Sequence, residues 1–319
     1  MQADAQSEAN TRTGTGIPSL FGIIEWARGG LEASLHGLVA GDGAPVIDYD
    51  NPRGDPGLFG PDSVTWRVHS DFPAMLAGGI SSLMLQALHP LAMAGVYEHS
   101  NFRADPLLRL RRTATFVGAT TYAGTATAEK SIAAVRRIHK SVVGTAPDGR
   151  PYSANDPRLL TWVHTAEVAS FLKGYIAYSG DSLTATEQDQ YFAEIARLAE
   201  GLGARDVPTS VTQVNDYFRA MRPELVWGAQ AKESIEFLFR TPSMLPTLGL
   251  GLRMFIEVGI DLLPDWAQEM TNLRKSQTLP AIVMAPTFRT AAAIMRWSIS
   301  TGAPQRARAR MGLPATPAN

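Results

Sequence analysis

The sequence predicts a single all-α domain, and three observations carry the fold. Helix-start signals recur along the chain, apolar residues return every three or four positions between them, and the alternation expected of strands is scarce. With 319 residues, 45% of them hydrophobic and 18% charged, the chain is long enough to bury a large core.

Residues 1–16 are polar and read as a disordered lead without an apolar signal core, which sets the expectation of a cytoplasmic protein. The domain is expected over 17–304, and residues 305–319, basic and Pro-containing, as a flexible tail. Residues 17–40 hold a short helical segment broken at Gly29-Gly30, and 41–63, rich in Gly, Pro and Asp, must be loop. Asp71 with Pro73 starts a helix that is apolar on all sides and therefore central. The uncharged run between Asp71 and Glu98 is long enough to span a bilayer. Pro73, Gly78-Gly79, Gln86 and His89-Pro90 interrupt it, so a core helix and a break are expected, with peripheral membrane contact left open.

Asp105-Pro106 opens a helix to about Tyr122, stopping near Gly124. Another runs from about Glu129 to Gly144, and Asp156-Pro157 opens a third, on which Leu160, His164, Val168, Phe171 and Tyr175 share a face. Two capping boxes follow, Thr184 with Glu187 and Ser210 with Gln213, and Pro223 prevents continuation of the second helix. From 224 to 300 the chain is helical in pieces punctuated by Pro242, Pro246, Pro264, Pro280 and Pro286.

Composition narrows the chemistry. Lys plus Arg number 29 against 30 Asp plus Glu, so no global charge favours nucleic acid. The absence of cysteine removes disulfides, thiolate nucleophiles and Cys-ligated iron. No phosphate-loop, dinucleotide, serine-hydrolase or HExxH motif is present.

Several polar groups sit on apolar helix faces. His139 lies between Val135 and Val142 on one face; it is either a buried neutral imidazole satisfied by a carbonyl or an axial ligand for haem iron. His164, with Glu167 one turn on, repeats the pattern on the next helix. Arg109, Arg112, Thr113 and Phe116 form one stripe, with Arg111 off it and expected in solvent; the stripe is either a solvated basic face or a cradle for carboxylates such as haem propionates. His89, Glu98 and His99, just upstream, are candidate bases, with Glu98 the choice for catalysis.

The ordered blocks QALHPLAMAGVYEHSNFRADPLLRLRRT, VRRIHKSVVG and YSANDPRLLTWVHT resemble the MpaB-type oxygenase and rubber oxygenase (latex-clearing protein) superfamily over roughly residues 60–265. The resemblance implies an all-helical fold holding haem b, with dioxygen as co-substrate and cleavage of carbon–carbon double bonds in isoprenoids. By position, His139 looks like the proximal iron ligand, Arg109, Arg112 and Thr113 like the R-x-x-[KR]-T element beside the haem, and His164 like the pocket histidine. Rubber oxygenases carry Lys at the place of Arg112, where it can cap the iron; arginine stays protonated and cannot. The expected activity is thus a haem-dependent oxygenase acting on an apolar, isoprenoid or lipid-like small molecule. The alternatives are a non-enzymatic helical binder of haem or an apolar ligand, and a haem peroxidase or peroxygenase.

Overall fold

The computed structural model describes residues 29, 45–100, 103–244, 249–273, 281–299 and 301–315. Among these it is helical, with thirteen α-helices and one two-stranded hairpin. The expected disordered lead and the helical segment at 17–40 lie outside the described residues, apart from Gly29.

The chain enters through loop 45–63 to α1 (Val64–His69), capped by Ser63, whose hydroxyl accepts from the Trp66 N–H. Asp71 then caps α2 (Phe72–Gln86), with Pro73 in its first turn as expected. The chain bends by 108° at His89 into α3 (Pro90–His99), so the long apolar run is two helices. Among the described residues no single helix is long and apolar enough to cross a membrane.

Helices α4 (Pro106–Tyr122) and α5 (Thr125–His139) follow, joined by Ala123-Gly124, a link short enough to make them antiparallel neighbours. The α5 helix starts four residues before the expected Glu129. It ends at His139 rather than Gly144, because Val143–Thr145 forms β1, paired antiparallel with β2 (Pro151–Ser153) in the register Gly144↔Tyr152. The remaining helices are α6 (Pro157–Tyr178), α7 (Ala185–Leu202), α8 (Val211–Met221), α9 (Ala229–Arg240), α10 (Gly249–Asp261), α11 (Asp265–Thr271), α12 (Ala281–Ser298) and α13 (Ala303–Arg310).

Thr184 and Glu187 form the expected reciprocal capping box on α7. On α8 only half of the second box forms. Ser210 accepts from the Gln213 N–H, but the Gln213 carbonyl turns to the backbone N–H and hydroxyl of Thr209. Pro286 does not punctuate the chain; it lies inside α12, near the start of that helix.

The core is organised around α2. On one side α6 crosses so closely that a Cβ at Gly78 would stand 2.6 Å from the Ser170 carbonyl oxygen, and one at Gly174 2.7 Å from that of Ala74. On the other, α10 approaches through Gly259, whose added Cβ would lie 2.8 Å from Ile80 Cγ2. Only glycine permits such contact between helix backbones. Arg296 of α12 fastens the start of α2 to the end of α6, donating to both Asp71 oxygens and to the Tyr178 carbonyl, the closest contacts being 2.6 Å.

The C-terminal segment corrects an expectation. Instead of fraying from residue 305, the chain forms α13 against α4. Arg310 is 3% exposed, and its guanidinium donates to the carbonyls of Tyr49, Asp55 and Tyr122. Backbone carbonyls left free at the end of α4 and in loop 45–63 accept this cation, which composition alone cannot reveal.

Gly174→Ala places a methyl against the α2 backbone and is expected to destabilise the fold by about 1–3 kcal/mol. Gly251→Ala on α10, where an added Cβ meets nothing within 4 Å, is expected to be neutral or stabilising by up to about 1 kcal/mol. Urea unfolding of the two variants against the parent checks this contrast.

Candidate functional site

The α4–α5 pair positions the first group of residues. Its closed end, Ala119–Gly124, is buried against α1, α13 and loop 45–63, whereas no described side chain from Leu108 to Gly118 is fully buried. Arg109 and His139 each lie about 20 Å from the turn by helical rise, so the antiparallel pairing brings both to its open end.

Arg109 is half-buried and donates to Ser100 Oγ at 3.2 Å. Burial lowers its pKa, and no carboxylate is paired with it among the described residues. Arg112 and Thr113 are exposed, while Phe116 packs against the main core. Arg111, expected in solvent, is half-buried and thus more covered than Arg112. The reason is that α4 is wrapped unevenly at this end: spacing sets which residues share a stripe, and packing sets which stripe is covered.

His139 ends α5. It is half-buried, and its Nδ1 is buried without a hydrogen-bond partner. Burial lowers its pKa, so the ring is neutral at physiological pH. A partnerless buried ring nitrogen costs about 1–3 kcal/mol, a deficit that a ligand would remove.

A second polar group lies deeper. The His69 ring, at the end of α1, is hydrogen-bonded through Nδ1 to Thr121 Oγ1 at 2.9 Å and through Nε2 to the Tyr191 hydroxyl at 3.0 Å. Phe171 meets that ring edge-on, with centroids 5.5 Å apart. Along α6, Leu160, His164, Glu167 and Phe171 form one stripe at i, i+4, i+7 and i+11. His164 is buried, close enough to His69 to disfavour a second charge, and has no hydrogen-bond partner among the described residues. Desolvation pulls His69 down to about 3 and His164 to about 4, and pushes the Glu167 carboxyl up to about 7.

The sequence-predicted residues therefore fall into two sets. Arg109, Arg112, Thr113 and His139 share the open end of the α4–α5 pair. His164 belongs to the cluster reached by Thr121, twelve residues and about 18 Å along α4 from Arg109. Glu98 joins neither. It is exposed at the end of α3, where one of its oxygens accepts the Tyr152 hydroxyl proton and fixes the hairpin; His99 Nε2 contacts the same hydroxyl at 3.1 Å. His89 caps α3 and lies beside Trp162, with ring centroids 6.0 Å apart.

Glu167, His69, Tyr191 and Thr121 were not among the predicted site residues. The His–Glu pair at i, i+3 on an apolar stripe was a legible sign for Glu167, whereas the other three meet only through long-range packing.

Among the described residues no three His, Asp or Glu side chains converge to hold a bare metal ion. His139 offers a single imidazole, the donor set suited to a prosthetic group that brings most of its own ligands.

The model of one protein family, described as ER-bound oxygenase mpaB/B'/Rubber oxygenase, catalytic domain, matches residues 66–297. The chain belongs to this family. It is accordingly an oxygenase-type domain, an oxidoreductase whose chemistry uses dioxygen. The family's catalytic domain, as matched, extends from Trp66 in α1 to Trp297 in α12 and contains both polar sets, whereas α13 lies beyond it. No curated protein and no solved structure matches the chain.

Besides His139, which burial also lowers, three histidines have strongly depressed pKa values in the folded state, His69 to about 3 and His89 and His164 to about 4, against 6.5 for free imidazole. Between about pH 5 and 6.5 the unfolded chain binds their protons and the native one does not, so stability falls as pH is lowered through this window. Glu167 acts in the opposite sense: its raised pKa keeps its proton in the native state, and its contribution falls as pH rises from 4.5 towards about 7. The net uptake on unfolding is about two protons, a slope of about 2.7 kcal/mol per pH unit, readable from urea titrations across the window. His89→Asn, which keeps a capping side chain, is expected to reduce the slope by about one proton.

Proposed function

We propose that the protein is a haem b-dependent oxygenase acting on an apolar, isoprenoid or lipid-like small molecule. The observation that carries this reading is His139, a neutral and partly accessible imidazole with an orphaned ring nitrogen, at the same end of the α4–α5 pair as a desolvated guanidinium without an acid partner. A haem would supply at this place an iron centre able to engage dioxygen, with carboxylates suited to arginine.

The chain's own residues supply the rest. His139 would hold the iron from α5, its ring kept neutral by desolvation and so free to donate a lone pair. Arg109 would bind a propionate, because a guanidinium that gives up water with only the Ser100 hydroxyl as partner gains most from an incoming carboxylate. Arg112 and Thr113, open on the adjoining turns, would add donors to the same carboxylates or to the dioxygen co-substrate. Arg112, being protonated, could not ligate an iron and would act there as a hydrogen-bond donor only. Leu110 and Phe116 on α4 and Ile132 on α5, half-buried against the main core, would supply apolar surface that excludes water around a substrate. Glu98 stands outside this scheme, exposed at the end of α3 with one carboxylate oxygen accepting from the Tyr152 hydroxyl.

Purified protein titrated with haemin is expected to develop a Soret band, and His139→Ala to lose it or shift it strongly. Arg109→Met should weaken haemin retention by about tenfold or more, the worth of a charge-assisted hydrogen bond. A protein that takes up no haemin contradicts the proposal. Oxygen uptake with isoprenoid alkenes separates an oxygenase from a passive haem binder, and a requirement for peroxide would mark a peroxygenase instead.

A further inference from the structure

The α6 stripe carries two polar side chains without a hydrogen-bond partner among the described residues. Neither the His164 ring nor the Glu167 carboxyl has a hydrogen-bond partner among the described residues, while neighbouring His69 is paired through both ring nitrogens. An unpaired polar group in an apolar interior is expensive, and two of them one helical turn apart, about 5–6 Å between Cβ atoms, point towards the same volume. Glu167 also keeps some accessible surface although protein crowds it on every side.

We propose that the Glu167 carboxyl and the His164 imidazole form a polar clamp for the oxygen function of an otherwise apolar ligand. Between about pH 5 and 6 both groups are neutral and form a donor–acceptor pair without net charge, and at pH 7 about half of the Glu167 carboxyls still hold their proton. The carboxylic acid donates to a ligand oxygen, and the imidazole accepts the hydroxyl proton of an alcohol or, in its other tautomer, donates to a carbonyl. An ionised ligand would meet no counter-charge here and would be disfavoured. The walls suit the apolar remainder: Leu160 and Phe171 flank the pair on the stripe.

The titratable neighbours do not disturb this state. On α1, His69 is neutral and Arg67 is paired with Asp181 and Glu187. On α7, Tyr191 is protonated, and Glu194 is held by the Thr65 hydroxyl and N–H. No residue of α2 is ionisable, and Asp71, which caps it, is paired with Arg296. His89, at the head of α3, is neutral. Burial alone raises Glu167.

The ligand class rests on the oxygenase reading, since an apolar molecule that gains or carries one oxygen function is what such an enzyme handles. The clamp itself rests on α6 and its neighbours. Infrared spectra of the full-length protein as purified are expected to show the carbonyl stretch of a protonated carboxyl that titrates near neutrality and disappears in Glu167→Gln. Geraniol and myrcene, an alcohol and a hydrocarbon of equal carbon number, are the probes, with quenching of buried Trp162 as the readout. Geraniol should shift the carboxyl band and bind more tightly than myrcene. Glu167→Ala should weaken geraniol by about tenfold and leave myrcene unchanged, and Glu167→Gln, whose amide still donates, should recover part of the loss. The clamp is overturned if no such band is lost in Glu167→Gln, or if Glu167→Ala weakens both probes equally. Failure to bind haemin with these results intact would sink the haem assignment and leave the clamp standing.

Discussion

The contact between α2 and α6 is the constraint on which the rest of the molecule depends. At Gly78 and Gly174 the two backbones approach to distances that any side chain would forbid, and Gly259 repeats the device where α10 closes the other flank. Close approach multiplies dispersion contacts along both helices, and it also sets the rotation of α6 about its axis. With Ser170 and Gly174 turned onto α2, the stripe Leu160–His164–Glu167–Phe171 has to face towards α1 and α7. The ionisable groups of that stripe are buried because the glycines require it, and the side chains of α1, α4 and α7 adapt to them.

That adaptation has an electrostatic character. The deep cluster contains imidazoles, hydroxyls and a carboxyl but no ion pair, and desolvation drives each titratable member towards its neutral form. Among the described residues the ion pairs lie outside this cluster: Arg67 meets Asp181 and Glu187, Arg306 meets Asp50, and Arg296 meets the buried Asp71. A neutral polar interior is hospitable to an apolar molecule with one oxygen atom and poor at holding an anion or a nucleotide. This agrees with membership of an oxygenase family and with the absence of phosphate-binding motifs from the sequence.

The open end of the α4–α5 pair works differently. There Arg109 is partly accessible with no acid partner among the described residues, and His139 lacks a partner for one ring nitrogen. Two unmet demands at the same level of an antiparallel pair call for a bound group. The C-terminal helix supports this arrangement from the far end, because Arg310 binds the Tyr122 carbonyl and so anchors α4 where it turns into α5.

Much of this was legible in the residues. Asp-Pro starts at 105 and 156, the Thr184–Glu187 box and the apolar girth of residues 72–86 determined where helices begin and which is central, because these signals act within one or two turns. The same local logic placed His139, His164 and the arginine stripe on their helices, and the order of the blocks pointed to the family. What depended on packing was hidden. No spacing rule shows that Tyr152 takes up Glu98, that Arg310 is drawn into the body by three carbonyls, or that His69 joins Thr121 to Tyr191. The sequence by itself determined the helices and the residues each one carries. Only the tertiary structure decided which polar groups lose water together, since desolvation and long-range hydrogen bonds belong to the surroundings of a side chain and not to its neighbours along the chain.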